Sequence, residues 1–231
     1  VGLVSLSSMG FMAARFTVLL YAVRMPATPA MVGLLAAMFA LISALASVPT
    51  GRLMDRRGIK TPLLVSTGLL GVTVMLGAVW RELPALFAIA IAAGLCHNTM
   101  VLAFQRRAGD LGPPSERPAA FGLLGLGFSI ANLTAPVAAG FAIDNTGFTI
   151  TFLIFGLVPV LPFLFVWQDR LPWPPIAAHH ATAGGKAPRT SGPLGLLRAP
   201  RLGRLYILCG LFESAWMGFG FMLPIYGSQL G

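Results

Sequence analysis

Gly51-Arg52-Leu53-Met54-Asp55-Arg56-Arg57-Gly58-Ile59-Lys60 separates two long apolar runs, 30–50 and 61–80. Gly58 permits a positive φ that turns the chain, and Gly51 is expected to let a helix end approach a neighbour closely. A helix of about 20 apolar residues crosses the roughly 30 Å hydrocarbon core of a bilayer. A charged turn this short between two such runs therefore reads as chain that leaves a membrane and re-enters it at once.

The rest of the sequence agrees. Of its 231 residues 56% are hydrophobic and only 10% charged, with a mean hydropathy of +0.82. Soluble domains carry about 25% charged residues, so the solvent here is largely lipid. Seven apolar runs are long enough to span: 3–23, 30–50, 61–80, 84–105, 119–142, 149–167 and 204–226. Short links rich in turn formers join most of them, such as Met25-Pro26-Ala27-Thr28-Pro29 and Asp144-Asn145-Thr146-Gly147. No period-two alternation suggests a barrel. Cys96 and Cys209 both lie in apolar stretches, which argues against a disulfide framework. The chain opens and closes beside apolar runs without a cleavable leader pattern, and both ends read as those of a piece of a longer protein.

Orientation follows from the cations. Arg52, Arg56, Arg57 and Lys60 follow the second run, and Arg106, Arg107 and Arg117 follow the fourth. Arg170, Lys186, Arg189, Arg198, Arg201 and Arg204 follow the sixth, so 13 of 16 basic residues fall in three alternate links. The positive-inside rule makes the links 51–60, 106–118 and 168–203 cytoplasmic, in a multi-pass protein of the cell (inner) membrane. Cations spread in this way do not form a nucleic-acid surface. The third link, 168–203, is rich in proline and glycine and reads as a linker whose end can lie on the anionic leaflet. The expected organisation is all-α: a six-helix bundle over 1–167, a cytoplasmic linker over 168–203, and the first helix of a second bundle over 204–231.

The pattern G-x-L-x-D-R-x-G-x-K within Gly51–Lys60 closely resembles the loop 2–3 motif of the major facilitator superfamily of secondary transporters. Its place between spans two and three, the orientation, the span count and the linker after span six fit that resemblance. The resemblance implies a fold of two six-helix bundles, a solute bound between them near the midplane, and alternating access by rocking of the halves. It implies a cytoplasmic latch formed by Gly51, Asp55, Arg56, Gly58 and Lys60, with Asp55 meeting the second bundle in the outward-open state. Ile59 stands where members often carry a basic residue, so a charge relay would fall to Arg56, Lys60 or Asp110. In span five, Ala135-Pro136 and Ala139-Gly140 partly match the antiporter motif G-P-x-x-G-G, and close helix packing is an equally physical use for them. Ile89-Ala90-Ile91 replaces the arginine that many proton-coupled members carry one turn before the glycine corresponding to Gly94.

Ionisable groups inside a span cost about 2.5–3.5 kcal/mol each on insertion scales and normally face a cavity or a partner. Arg15 sits eight residues inside the outer end of span one, and Glu213 about ten residues into span seven. These two, with His97, Asn98, Asn132 and Trp216, are the candidate solute or proton cavity. Arg15 suits an anionic group and Glu213 a cation or proton; the two could instead pair. His97 could shuttle protons, while His97, Asn98 and Asn132 could equally hydrogen-bond neighbouring helices. His179-His180 is too isolated for a metal site, which needs three or four ligands.

No nucleophile constellation, phosphate-binding glycine loop or carboxylate pair is present, so neither an enzyme nor a cofactor is expected. A seven-helix receptor is the alternative, and the reverse orientation and the missing retinal lysine weigh against it. The expectation is a solute transporter acting as a monomer when full length, its partners a small molecule and the bilayer, with protons one candidate coupling ion.

Overall fold

The computed structural model describes residues 1–110, 113, 115–168, 204, 207–212, 214 and 215. The chain divides into two compact units, Val1–His179 and His180–Gly231. In the second unit the described residues 204, 207–212, 214 and 215 are helical.

The first unit is built from α1 (Gly2–Arg24), α2 (Pro29–Arg57), α3 (Lys60–Val79), α4 (Leu83–Asp110), α5 (Arg117–Leu157) and α6 (Val160–Trp167). Among the described residues there is no strand. The first four helices match the first four predicted spans, but α2 and α4 run past their apolar stretches. Arg52, Asp55, Arg56 and Arg57 are helical, and the turn shrinks to Gly58 and Ile59. Cations in the last turn suit the negative end of the helix dipole, so hydropathy ends sooner than the helix does. Gly58 has φ 76° and ψ 177°, a region open only to glycine, which confirms the expected turn. At the other end Thr28 caps α2, accepting a hydrogen bond from the Met31 amide, with Pro29 in the first turn.

The predicted spans 119–142 and 149–167 form one apolar stretch, Arg117–Trp167, of 51 residues. Fully extended as one helix it would reach roughly 76 Å, more than twice a bilayer core. It is broken at Gly147, with φ 76° and ψ 172°. Side-chain neighbours show the reversal. Gly127, before the break, lies on Val4 near the start of α1. Beyond it, Phe148 packs edge-on to Tyr21 near the end of α1, and Pro159 returns to Gly10. The stretch thus passes α1 twice, once on each side of the break. The returning arm is interrupted at Val158-Pro159, because proline has no N–H to give the helix.

Small residues hold the bundle together, as packing between helices in lipid demands. Gly127, Ala131, Ala135, Ala139 and Ile143 form the buried stripe of α5, which packs on α1, so the span-five small residues serve packing. Leu133, Val137 and Phe141 on another face are 74%, 71% and 71% exposed, suited to lipid and untenable in water. A Cβ at Gly71 would meet Gly156 O at 2.9 Å, and one at Gly77 would meet the Phe152 ring at 2.7 Å. Hydroxyls bond back to their own helices, as Thr17 to Ala13 O at 2.8 Å and Thr67 to Leu63 O at 2.7 Å.

Candidate functional site

α2 and α4 run parallel, and their contacts step along both helices in register. Near the middle, Gly94 meets the Phe39 carbonyl, and Ser43 Oγ lies 3.0 Å from Gly94 O as well as 2.8 Å from Phe39 O. One turn on, Ser47 Oγ lies 3.3 Å from Asn98 Oδ1. At the basic end, Arg106 Nη2 forms an ion pair with Asp55 Oδ1, and its Nη1 donates to Gly51 O at 3.4 Å.

The middle of this seam meets α1. The His97 ring stacks on Phe11, with centroids 3.9 Å apart and planes 3° from parallel. Phe11 in turn meets Phe39 edge-on at 5.8 Å. The Arg15 guanidinium lies 6.0 Å from the centre of the Phe39 ring, in cation–π range. Arg15 is nine residues before Arg24, so about 14 Å from that end of the helix, near the bilayer midplane. Four side chains from three helices thus form one cluster, with Asn98 beside it.

The cluster is incompletely satisfied. His97 Nδ1 and Asn98 Nδ2 are buried and have no hydrogen-bond partner among the described residues. A buried polar atom without a partner costs about 1–3 kcal/mol, and a cation at this depth adds its own penalty. Among the described residues no carboxylate lies in the apolar part of a span: Asp55, Asp110 and Glu116 stand at the basic end, Glu82 and Asp144 at the other.

The predicted residues therefore separate. Arg15 and His97 come together at the Phe11–Phe39 pair, and Asn98, next to His97 in the chain, lies against Ser47 of α2. Asn132 is exposed on α5, and no described contact joins it to them. Glu213 and Trp216 lie outside the described residues, as does the linker 169–203.

At the loop 2–3 motif, Gly58 makes the turn and Ile59 is buried, while Asp55 and Arg56 are exposed at the end of α2 and half-buried Lys60 begins α3. The expected close approach at Gly51 is not found: a Cβ there would meet nothing within 4 Å, and its contact is through its carbonyl. Arg106, 51 positions from Asp55, was counted in the sequence only as a positive-inside residue. A pairing across that separation leaves no sequence signal short of the parallel packing of α2 on α4.

The family model described as Major Facilitator Superfamily matches residues 2–231. The chain belongs to that superfamily. Comparison with the curated proteins finds no match. A Major Facilitator Superfamily chain with these apolar helices is a multi-pass membrane transporter of small molecules, and the superfamily consists of transporters rather than enzymes.

Proposed function

We propose that the protein is a secondary active transporter that carries its solute by alternating access, with Arg15, His97 and Asn98 in the solute path. The observation that carries this reading is the polar group of side chains at mid-span: Arg15 of α1 over the Phe39 ring, and on α4 the buried His97 Nδ1 and Asn98 Nδ2, which have no hydrogen-bond partner among the described residues. A membrane bundle keeps such groups where a solute or an ion satisfies them. Asn132 on the exposed face of α5, and Glu213 and Trp216 of span seven, are secondary candidates.

The loop 2–3 residues Gly51, Asp55, Arg56, Gly58 and Lys60 act in this reading as a latch at the cytoplasmic side. The Asp55–Arg106 pair supports it, since the carboxylate is already held at the tip of α2, where a competing partner could take it. Asp55 and Arg106 are 53% and 31% exposed, so the pair is worth only about 0.2–1 kcal/mol. A contact this weak can exchange during a transport cycle. Cytoplasmic placement of the basic links in the cell membrane follows from the positive-inside rule.

The test is solute flux in proteoliposomes holding the protein expressed from its complete reading frame. Counterflow of at least one labelled solute is expected, reduced tenfold or more by R15Q and by D55N. Flux unaffected by both substitutions would refute the assignment of path and latch, and absence of flux for every solute tried would refute transport.

A further inference from the structure

At the basic end of the first unit, four helices leave a space between them. A cavity of about 210 Å³ is walled by the first two turns of α1, α3 and α5 and the last two of α4, with Val4, Leu63, Ala103, Phe104, Leu123 and Leu124 in its lining. Among the described residues Arg107 is the one charged side chain of that lining, and the rest is apolar. A bound water needs two to four polar partners, whereas an apolar cavity of roughly 150 Å³ stays dry and takes up an apolar guest. This lining suits a hydrocarbon.

The floor and the mouth of the cavity differ. Leu63 and Ala103 are buried at 3% and 0% exposure, and one turn along α5 from Leu123 the Gly127 backbone closes on Val4. Leu123, at 54% exposure, begins an exposed apolar row on α5 that continues through Leu126, Ile130, Leu133, Val137 and Phe141. Steps of three and four residues keep that row on one face of the helix. The cavity therefore opens onto the face of α5 already suited to lipid. Its depth fits as well, since helix ends stand where acyl chains meet headgroups. Charge supplies the other half of the match. The described helices of this unit carry seven cations at this end against three carboxylates, Asp55, Asp110 and Glu116. One of the seven, exposed Arg117, stands a turn before Ala120 of the lining. It is this excess, rather than any one side chain, that draws an anionic headgroup.

We propose that the cavity binds one anionic phospholipid. An acyl chain fills the space between α1, α4 and α5, and the phosphodiester lies among the cations at the mouth. A free phosphate would gain the charge and leave the cavity empty. A zwitterionic lipid would fill the cavity but bring an ammonium that the excess of cations repels. Val4 is seven residues from Phe11, about 10 Å along α1, so the site lies apart from the mid-span cluster and stands whether or not that cluster is a solute path.

The experiment titrates the delipidated, detergent-purified protein from its complete reading frame and counts bound lipid by native mass spectrometry. The probes are dioleoyl phosphatidylglycerol, dioleoyl phosphatidylcholine and, as a headgroup without chains, glycerol 3-phosphate. Phosphatidylglycerol is expected to fill one site about tenfold more tightly than phosphatidylcholine, the effect of one or two cations beside a headgroup. Glycerol 3-phosphate should not saturate. A103L fills the cavity from its floor and should abolish the tight site, with A120F at the rim as a second variant should A103L fail to fold. The double variant R107Q/R117Q should bring phosphatidylglycerol down to the affinity of phosphatidylcholine and leave phosphatidylcholine unchanged. L133A, on the same exposed row but outside the cavity, should keep the site.

Equal binding of the two phospholipids would overturn the proposal, as would a tight site that survives in the filled variants or in R107Q/R117Q. Loss of the site in L133A would show lipid bound to the outer face of α5 instead. Absence of tight phosphatidylglycerol binding to a preparation with native helix content would show the cavity to be filled by another part of the chain.

Discussion

Replacing Gly94 by alanine tests the helix seam on which the candidate site is built. The new Cβ would lie 2.6 Å from the Phe39 carbonyl oxygen, a backbone atom that cannot swing aside. Ordinary contact begins near 3.4 Å, so α2 and α4 must separate there by roughly 0.8 Å. That movement carries Ser43 Oγ away from Gly94 O, now 3.0 Å, and Ser47 Oγ away from Asn98 Oδ1, now 3.3 Å. Overpacking costs about 1–3 kcal/mol, and each interhelical hydrogen bond in a membrane about 0.6 kcal/mol. Alanine returns up to about 1 kcal/mol through its better helix propensity. The net loss expected is about 1–3 kcal/mol, which lowers Tm by roughly 3–10 °C for a protein of this size.

Thermal unfolding in detergent micelles, followed with a thiol-reactive dye, reads this directly. Cys96 is 2% exposed on α4 and becomes reactive only when the bundle opens, above a constant signal from exposed Cys209. The control is G125A, where the added methyl meets nothing within 4 Å and stability should hold or rise slightly. A G94A protein within about 1 °C of the parent, or a G125A protein losing as much as G94A, would refute the close α2–α4 approach.

Further outcomes follow from the other contacts. G58A and G147A force alanine into φ 76° with extended ψ and should each cost about 1–3 kcal/mol in the same assay, although the space beside Gly147 is open. A double-mutant cycle over D55N and R106Q should give a coupling of at most about 1 kcal/mol that fades in high salt, and a larger value would show the pair to be more than a surface contact. With Cys96 and Cys209 replaced by serine, a cysteine at Arg57 should label only from the cytoplasm and one at Asp144 only from outside. Labelling of both from one side would overturn the topology. H97A should lose about 0.5–1.5 kcal/mol from the stack on Phe11, read by the same thermal scan in a tryptophan-fluorescence format.

Much of the bundle was legible because hydropathy reports depth: chain that crosses lipid must be apolar for about 20 residues, and the first four helices begin within a residue or two of their predicted starts. Hydropathy does not report where a helix ends once it has left lipid, which is why the motif was read as a loop when most of it is the last turns of α2. Nor does it report rotation about the helix axis. Asp144, Asn145 and Thr146 have turn-forming side chains, yet they stay helical, Asn145 and Thr146 bonding back to Phe141 O and Ala142 O, and the whole reversal falls on Gly147. The same blindness to rotation affected the site. Arg15 and His97 stood out as costly residues, but that both approach the Phe11–Phe39 pair depends on how α1, α2 and α4 are turned. Asn132 stood out for the same reason and lies on an exposed face.

The extra turns of α2 have a mechanical consequence. With 29 residues the helix is about 44 Å long, roughly 14 Å more than the hydrocarbon core it crosses. Its charged tip is therefore the far end of a lever whose fulcrum lies in the bilayer. Few of its side chains are buried (Leu35, Phe39, Thr50 and Met54), and the shaft rests on α4 through two serine hydroxyls and a glycine. A change of tilt at the Phe39 fulcrum, beside the Arg15 cluster, is magnified at Asp55. In the transport cycle proposed above, occupancy at mid-membrane and the position of the charged tip would be coupled through this one helix.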